Sequence, residues 1–211
     1  MRSRAEDVSS PAAGFYFDLA SPLAYLAAER ILQAFSDSPT AVEWRPVLAR
    51  ELPGAETFDA LLGGEQGDVS RAELERRARE LGLQRVRWPE PFPFDSSLAM
   101  RVATYAKSIG RAVPFAQAAF RQAFAGGRSL EDRDSVLIAA AACEMHPSAV
   151  LRGAELRSVA AQLSASTAAA AAAGVRDVPA VLVGARVFHG ERAIEQAAAH
   201  TLARPTGARS A

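Results

Sequence analysis

Ser21 stands where an apolar strand gives way to a helix, a position suited to holding an anion. The run Phe15-Tyr16-Phe17 reads as a buried strand, and helical spacing resumes at Leu23, Leu26, Ala27, Arg30 and Ile31. Ser21 then falls at the N-cap and Pro22 at the first helical position. Unpaired backbone N–H groups and the positive end of the helix dipole meet there, which favours anions, thiolates included. A serine hydroxyl so placed can donate a hydrogen bond to a thiolate and lower its pKa. The spacing equally allows a plain N-cap serine. Any thiol must come from outside, because the single cysteine, Cys143, lies far along the chain on an alanine-rich helix. There it reads as a small buried hydrophobe. Ser21 lacks the G-x-S-x-G surroundings of a hydrolase nucleophile.

Other chemistry is sparse. His146, His189 and His200 are dispersed and show no metal-ligand spacing, so no metal site is expected. With one cysteine there is neither an internal disulfide nor Cys-x-x-Cys chemistry, and a reducing compartment is natural. The 24 basic and 24 acidic residues cancel, which argues against a general binder of nucleic acid or anionic membrane. Arg45 reads as a strand-end surface charge. Residues 1–12 have no apolar stretch of the kind a signal peptide needs and read as a disordered tail, as do residues 204–211. No stretch is long and apolar enough for a membrane span. A cytoplasmic protein is the expectation.

The elements that position Ser21 follow from periodicity. A helix over about Pro22–Phe35 and a strand over 41–48, ending near Pro46, make a parallel β-α-β unit. Residues 49–70 are irregular. Ser70-Arg-Ala-Glu73 has the spacing of a capping box and opens a helix to Leu81-Gly82. Three prolines keep Trp88–Phe94 out of a helix, in extended or turn geometry. Helices are then expected from Ser96 to Gly110, from near Pro114 to Gly126, and after a Ser129–Asp132 cap until His146-Pro147. A further helix covers Glu155–Ala173 and ends at Gly174. A strand after Val178-Pro179, a hairpin turn at Gly184-Ala185, a strand over 186–188 and a helix from Ala193 to about Leu202 complete the chain.

Phe15-Tyr-Phe-Asp18-Leu-Ala-Ser21-Pro22-Leu-Ala-Tyr25-Leu26 resembles a phrase of the 2-hydroxychromene-2-carboxylate isomerases. These belong with the kappa-class glutathione transferases in the DsbA-like thioredoxin-fold family. Redox members begin this helix with Cys-x-x-Cys, where this chain reads Ser21-Pro22-Leu23-Ala24. Trp44-Arg-Pro-Val-Leu48 resembles the family's second strand, and Phe92–Arg101 its F-P-x-N-x-x-x-A-x-R phrase, with Asp95 in the asparagine position. Gly174–Ala180 resembles G-V-x-x-V-P-A, and Phe188–Arg192 an F-W-G-x-D-R phrase, one residue shorter and with Glu191 for aspartate. Residues 52–70 do not follow the family pattern.

The resemblance implies an α/β thioredoxin-like fold with an inserted all-helical domain. Residues 13–50 and 166–203 would form the thioredoxin-like part and residues 51–165 the insertion. It implies glutathione as cofactor and Ser21 as the residue that stabilises its thiolate. A cis Pro179 beside Ser21 and the exposed backbone of Val178 would pair with the cysteinyl backbone. Gly190 and Glu191 would bind the cofactor, the acidic Glu191 holding its γ-glutamyl amino group, and Asp95 would either handle substrate or cap its helix. The expected activity is a glutathione-dependent isomerisation of an aromatic-acid-like small molecule, glutathione transfer being a further activity of the family. The alternative is a relative without Cys-x-x-Cys that serves as a non-catalytic binding module. Small-molecule partners are expected, and a homodimer is left open.

Overall fold

A computed structural model describes residues 13–56, 64–190 and 192–203. The tail at 1–12, the tail at 204–211 and Glu191 lie outside the described residues, as does part of the irregular stretch at 52–70. Strand β1 (Ala13–Phe17) is buried along its whole length, which is why it reads as a continuous apolar run and not an alternating one. It pairs in parallel with β2 (Val42–Pro46), Phe15 opposite Trp44 and Phe17 opposite Pro46. Helix α1 (Pro22–Ala34) carries the chain across between them. On its other edge β1 pairs antiparallel with β3 (Ala180–Val183), which turns at Gly184 into β4 (Arg186–His189). The sheet order is β2-β1-β3-β4.

Between β2 and β3 run α2 (Gly64–Glu80), α3 (Ser97–Ser108), α4 (Ala112–Phe124), α5 (Arg133–Ala141), α6 (Pro147–Glu155) and α7 (Arg157–Ala172). Helix α8 (Ala193–Ala203) follows β4. Period-2 alternation splits the sheet into two faces. Phe15, Phe17 and Trp44 form one face, with Phe15 and Trp44 edge to face at 5.0 Å. Phe120 of α4 meets both Phe17 and Tyr25 of α1, so a single aromatic cluster joins sheet, first helix and helical block. The other face carries Tyr16, Glu43 and Arg45. Helix α7 closes on this half of the sheet, its Ser166 hydroxyl donating to Pro46 O and Thr167 Oγ1 accepting from Leu48 N–H.

Three helix boundaries differ from the sequence reading. Helix α2 begins at Gly64, which places Ser70 inside it. Capping-box spacing is also ordinary i,i+3 spacing within a helix, so it does not by itself mark a start. Asp132, three residues after Ser129, caps α5, accepting from the N–H groups of Asp134 and Ser135. Pro147, read as a stop, opens α6 at its first position, with His146 Nδ1 accepting from Ser148 N–H as the cap. Proline lacks an N–H that the first turn does not need, so Pro147 suits the start of α6, while α5 has already ended at Ala141. As expected, Trp88–Phe94 forms no helix; the chain bends at residues 91–93, and its Glu90–Pro91 and Phe92–Pro93 bonds are cis.

Candidate active site

The chain leaves β1 at Phe17 and reaches α1 through Asp18, Leu19 and Ala20. Every backbone N–H of this short turn after Asp18 has an acceptor. Leu19 donates to Met100 Sδ of α3, Ala20 to Asp18 Oδ1, and Ser21 to the Asp18 carbonyl. Ser21 is the N-cap of α1 as expected. Its Oγ accepts from Ala24 N–H at 3.1 Å, and its backbone is extended. The residue is 2% exposed. The bond from Ala24 occupies an acceptor position of the hydroxyl, while the hydroxyl's own proton has no acceptor among the described residues.

Asp18 is the residue the sequence reading passed over. It is 2% exposed, its Oδ1 holding Ala20 N–H and its Oδ2 holding Ala49 N–H just beyond β2, both at 2.9 Å. The Ser96 hydroxyl, at the start of α3, donates to the same carboxylate. One buried acid thus fastens the Ser21 turn to the second strand's exit and to the helical block. Burial raises its pKa; the hydrogen bonds from Ala20, Ala49 and Ser96, and the charge of Arg50, oppose this only in part. The available signal was a single acid inside an otherwise apolar aromatic run. An unpaired charge is costly in such a place, so its presence points to a set of partners.

The Val178–Pro179 bond is cis. The last β1–β3 pair is Tyr16 with Ala180, so Pro179 lies next to Phe17 at the strand end from which the Ser21 turn departs. Gly190, with φ +79°, donates its N–H to the Pro179 carbonyl at 3.3 Å. His189 Nε2 accepts from Arg176 N–H, and Gly54 donates to the Arg176 carbonyl at 2.7 Å. Val178 is buried, but neither its N–H nor its C=O has a partner among the described residues. Beside it Asp177 Oδ1 is buried without a hydrogen-bond partner. Sequence reasoning missed this second acid as well.

Ser21, Val178, Pro179 and Gly190 therefore gather at one end of the sheet. Asp95 makes its side-chain hydrogen bonds locally. Its Oδ1 accepts from the Ser97 N–H and hydroxyl at the start of α3, and these bonds hold its pKa below the usual carboxylate range. It shares a small cavity of about 90 Å3 with Asp18 and Arg50. The N-cap of α3 is Ser96, without a side-chain cap bond, and Asp95 one residue earlier accepts from the first helical N–H. Cys143 is buried, its thiol donating to Ala139 O, and burial pushes its pKa up.

The family profile of the DSBA-like thioredoxin domain matches residues 14–201. The chain belongs to this family. No curated protein sequence matches it. A solved 2-hydroxychromene-2-carboxylate isomerase superposes with TM-score 0.76 at 18% identity, covering 90% of this chain and 94% of its own. A probable DsbA oxidoreductase from Streptomyces coelicolor gives 0.76 at 21%, covering 95% and 93%. The cytosolic disulfide reductase DsbM from Pseudomonas aeruginosa, solved with GSH, gives 0.62 at 14%, covering 90% and 96%. At these identities the likeness shows the fold, the thioredoxin-like α/β sheet with surrounding helices. Among the described residues no helix is long and apolar enough to cross a membrane.

Proposed function

We propose that the chain binds glutathione at the Ser21–Val178–Pro179–Gly190 end of the sheet and catalyses a glutathione-dependent isomerisation of an aromatic-acid-like substrate, in the manner of 2-hydroxychromene-2-carboxylate isomerase. The observation that carries the reading is the Ser21 hydroxyl, fixed by Ala24 N–H with its proton left to donate. The fit to glutathione rests on three orphaned groups. The Ser21 O–H suits a thiolate. The N–H and C=O of Val178 suit a peptide backbone laid beside them as a short added strand. The buried Asp177 Oδ1 accepts from an N–H or ammonium group, the part first expected of Glu191. The isomerase fold neighbour and the GSH-bound DsbM support the reading.

Bound there, glutathione would supply a thiolate for reversible nucleophilic catalysis on an electrophilic substrate carbon, with no net change in electrons. The protein's part is to hold that charge. Ser21 donates to it, the α1 N-terminus stabilises it, and burial removes competing water. Cytoplasmic residence is consistent with this reading, since reduced glutathione is abundant in a reducing compartment.

Ser21→Ala is expected to raise the pKa of the bound glutathione thiol by about one to two units, the worth of one charge-assisted hydrogen bond of about 1.5–3 kcal/mol. Turnover near neutral pH falls about tenfold with it. The thiolate ultraviolet absorbance of bound glutathione, titrated for both proteins, reads the shift directly. Superimposable curves would reduce Ser21 to a helix cap. Tight glutathione binding with no turnover of aromatic acids would assign the chain to the binding modules.

A further inference from the structure

On the sheet face opposite the aromatic cluster, Tyr16, Glu43 and Arg45 open onto a cavity of about 530 Å3 walled by α3 and α7. That volume lies within the range of small-molecule sites. Arg45, read from the sequence as a strand-end surface charge, is instead the centre of a network. Its Nε and Nη2 donate to one Glu43 oxygen at 2.9 and 2.6 Å, and its Nη1 donates to the Tyr16 phenol at 3.0 Å. Lys107 of α3 reaches the other Glu43 oxygen at 2.6 Å. Against its burial penalty, Lys107 and Arg45 hold the Glu43 carboxyl below its usual range, so it stays ionised. Two cations thus share one carboxylate, and the cluster keeps one positive charge in excess.

Tyr16 supplies an independent sign. It is 3% exposed, it accepts from Arg45, and its own O–H finds no acceptor among the described residues. Arg45 spends three of its five N–H groups on Glu43 and Tyr16, leaving two. Free donors from Tyr16, Arg45 and Lys107 therefore face one cavity whose only carboxylate is already engaged. Ala165 and Ala169 give it an apolar wall. We propose that this cavity is a second binding site, which takes a small organic monocarboxylate with its charged end on Tyr16, Arg45 and Lys107 and its apolar body against α7. One excess positive charge matches one carboxylate better than a dianionic phosphate. The site is separate from the Ser21 end: it opens on the sheet face opposite the aromatic cluster against which α1 packs, and Ser21, Val178, Pro179 and Gly190 do not line it.

Benzoate and its uncharged isostere benzamide test this by calorimetric titration of the full chain at low salt, without glutathione. Benzoate is expected to bind at least about tenfold more tightly than benzamide. Tyr16→Phe and Lys107→Met, each confirmed folded by circular dichroism, should each weaken benzoate about tenfold and leave benzamide unchanged. Tyr16→Phe removes a single oxygen, and Lys107 is half-buried, so neither variant threatens the fold. Ser21→Ala should keep full benzoate affinity. Equal binding of the two compounds, or none, overturns the proposal, as does unchanged benzoate affinity in both cavity variants. Loss in Ser21→Ala alone would move the carboxylate to the Ser21 end and overturn it too.

Discussion

Asp18→Ala is expected to cost about 2–6 kcal/mol of folding stability, because it strips the acceptor from two buried backbone N–H groups at about 1–3 kcal/mol each. Those groups belong to Ala20 and Ala49, both about 1% exposed, so water does not replace the lost carboxylate. The Ser96 hydroxyl is orphaned with them. Denaturant unfolding measures the loss, and a change within about 0.5 kcal/mol would mean that the turn relaxes to find other acceptors. Asp18→Asn separates charge from hydrogen bonding. Its oxygen keeps one N–H, while its amide sets a donor against the other.

The same carboxyl gives stability a defined pH slope. Burial raises the folded-state pKa of Asp18, so from about pH 4 upward the native chain holds a proton that the unfolded chain has released. Stability rises with pH only where the unfolded state binds more protons; here the native state does, so Asp18's contribution falls as pH rises. It is fully present below the ordinary carboxylate range and is lost through the raised pKa. Wild type should therefore lose stability relative to Asp18→Asn as pH climbs from about 4. A difference that stays flat with pH would place Asp18 at an ordinary pKa.

What could be read from sequence was local. The N-cap at Ser21, the proline after it and the following apolar spacing all act within one helical turn, and the structure builds that turn as expected. The parallel pairing of β1 with β2 follows from a single helix between two apolar runs. Asp18 was opaque for the opposite reason. Its partners Ala49 and Ser96 lie 31 and 78 positions away, and nothing near Asp18 says that they will meet it. Arg45 was misread likewise, since Lys107 comes from α3, 62 positions along the chain. Pro147 shows a different limit: a proline after an apolar run reads as a stop, yet α5 has already ended at Ala141 and Pro147 opens α6.

Gly54→Ala is expected to lower stability by about 2–4 kcal/mol, through overpacking of about 1–3 kcal/mol and one weakened hydrogen bond of about 1 kcal/mol. Gly54 is required by space and not by its backbone angles. A Cβ there would lie 2.5 Å from the Arg176 carbonyl oxygen, to which the Gly54 N–H donates. The obstacle is backbone, so no side chain can swing aside. The 176 loop must back away, and its other tie is the bond from Arg176 N–H to His189 Nε2. Asp177, Val178 and Pro179 follow directly, so the shift passes into the groups assigned to glutathione. Glutathione affinity should fall about tenfold or more, since a misplacement of about 1 Å suffices to break hydrogen-bond geometry. Gly153→Ala is the matched control. Its Cβ would meet the Tyr105 ring at 2.5 Å, where α6 crosses α3, so it carries a similar packing cost away from the Val178 loop. Calorimetric titration of both variants decides between local geometry and general loosening. Equal weakening in the two variants, or wild-type binding in Gly54→Ala, would show that the 54–176 contact does not position the site.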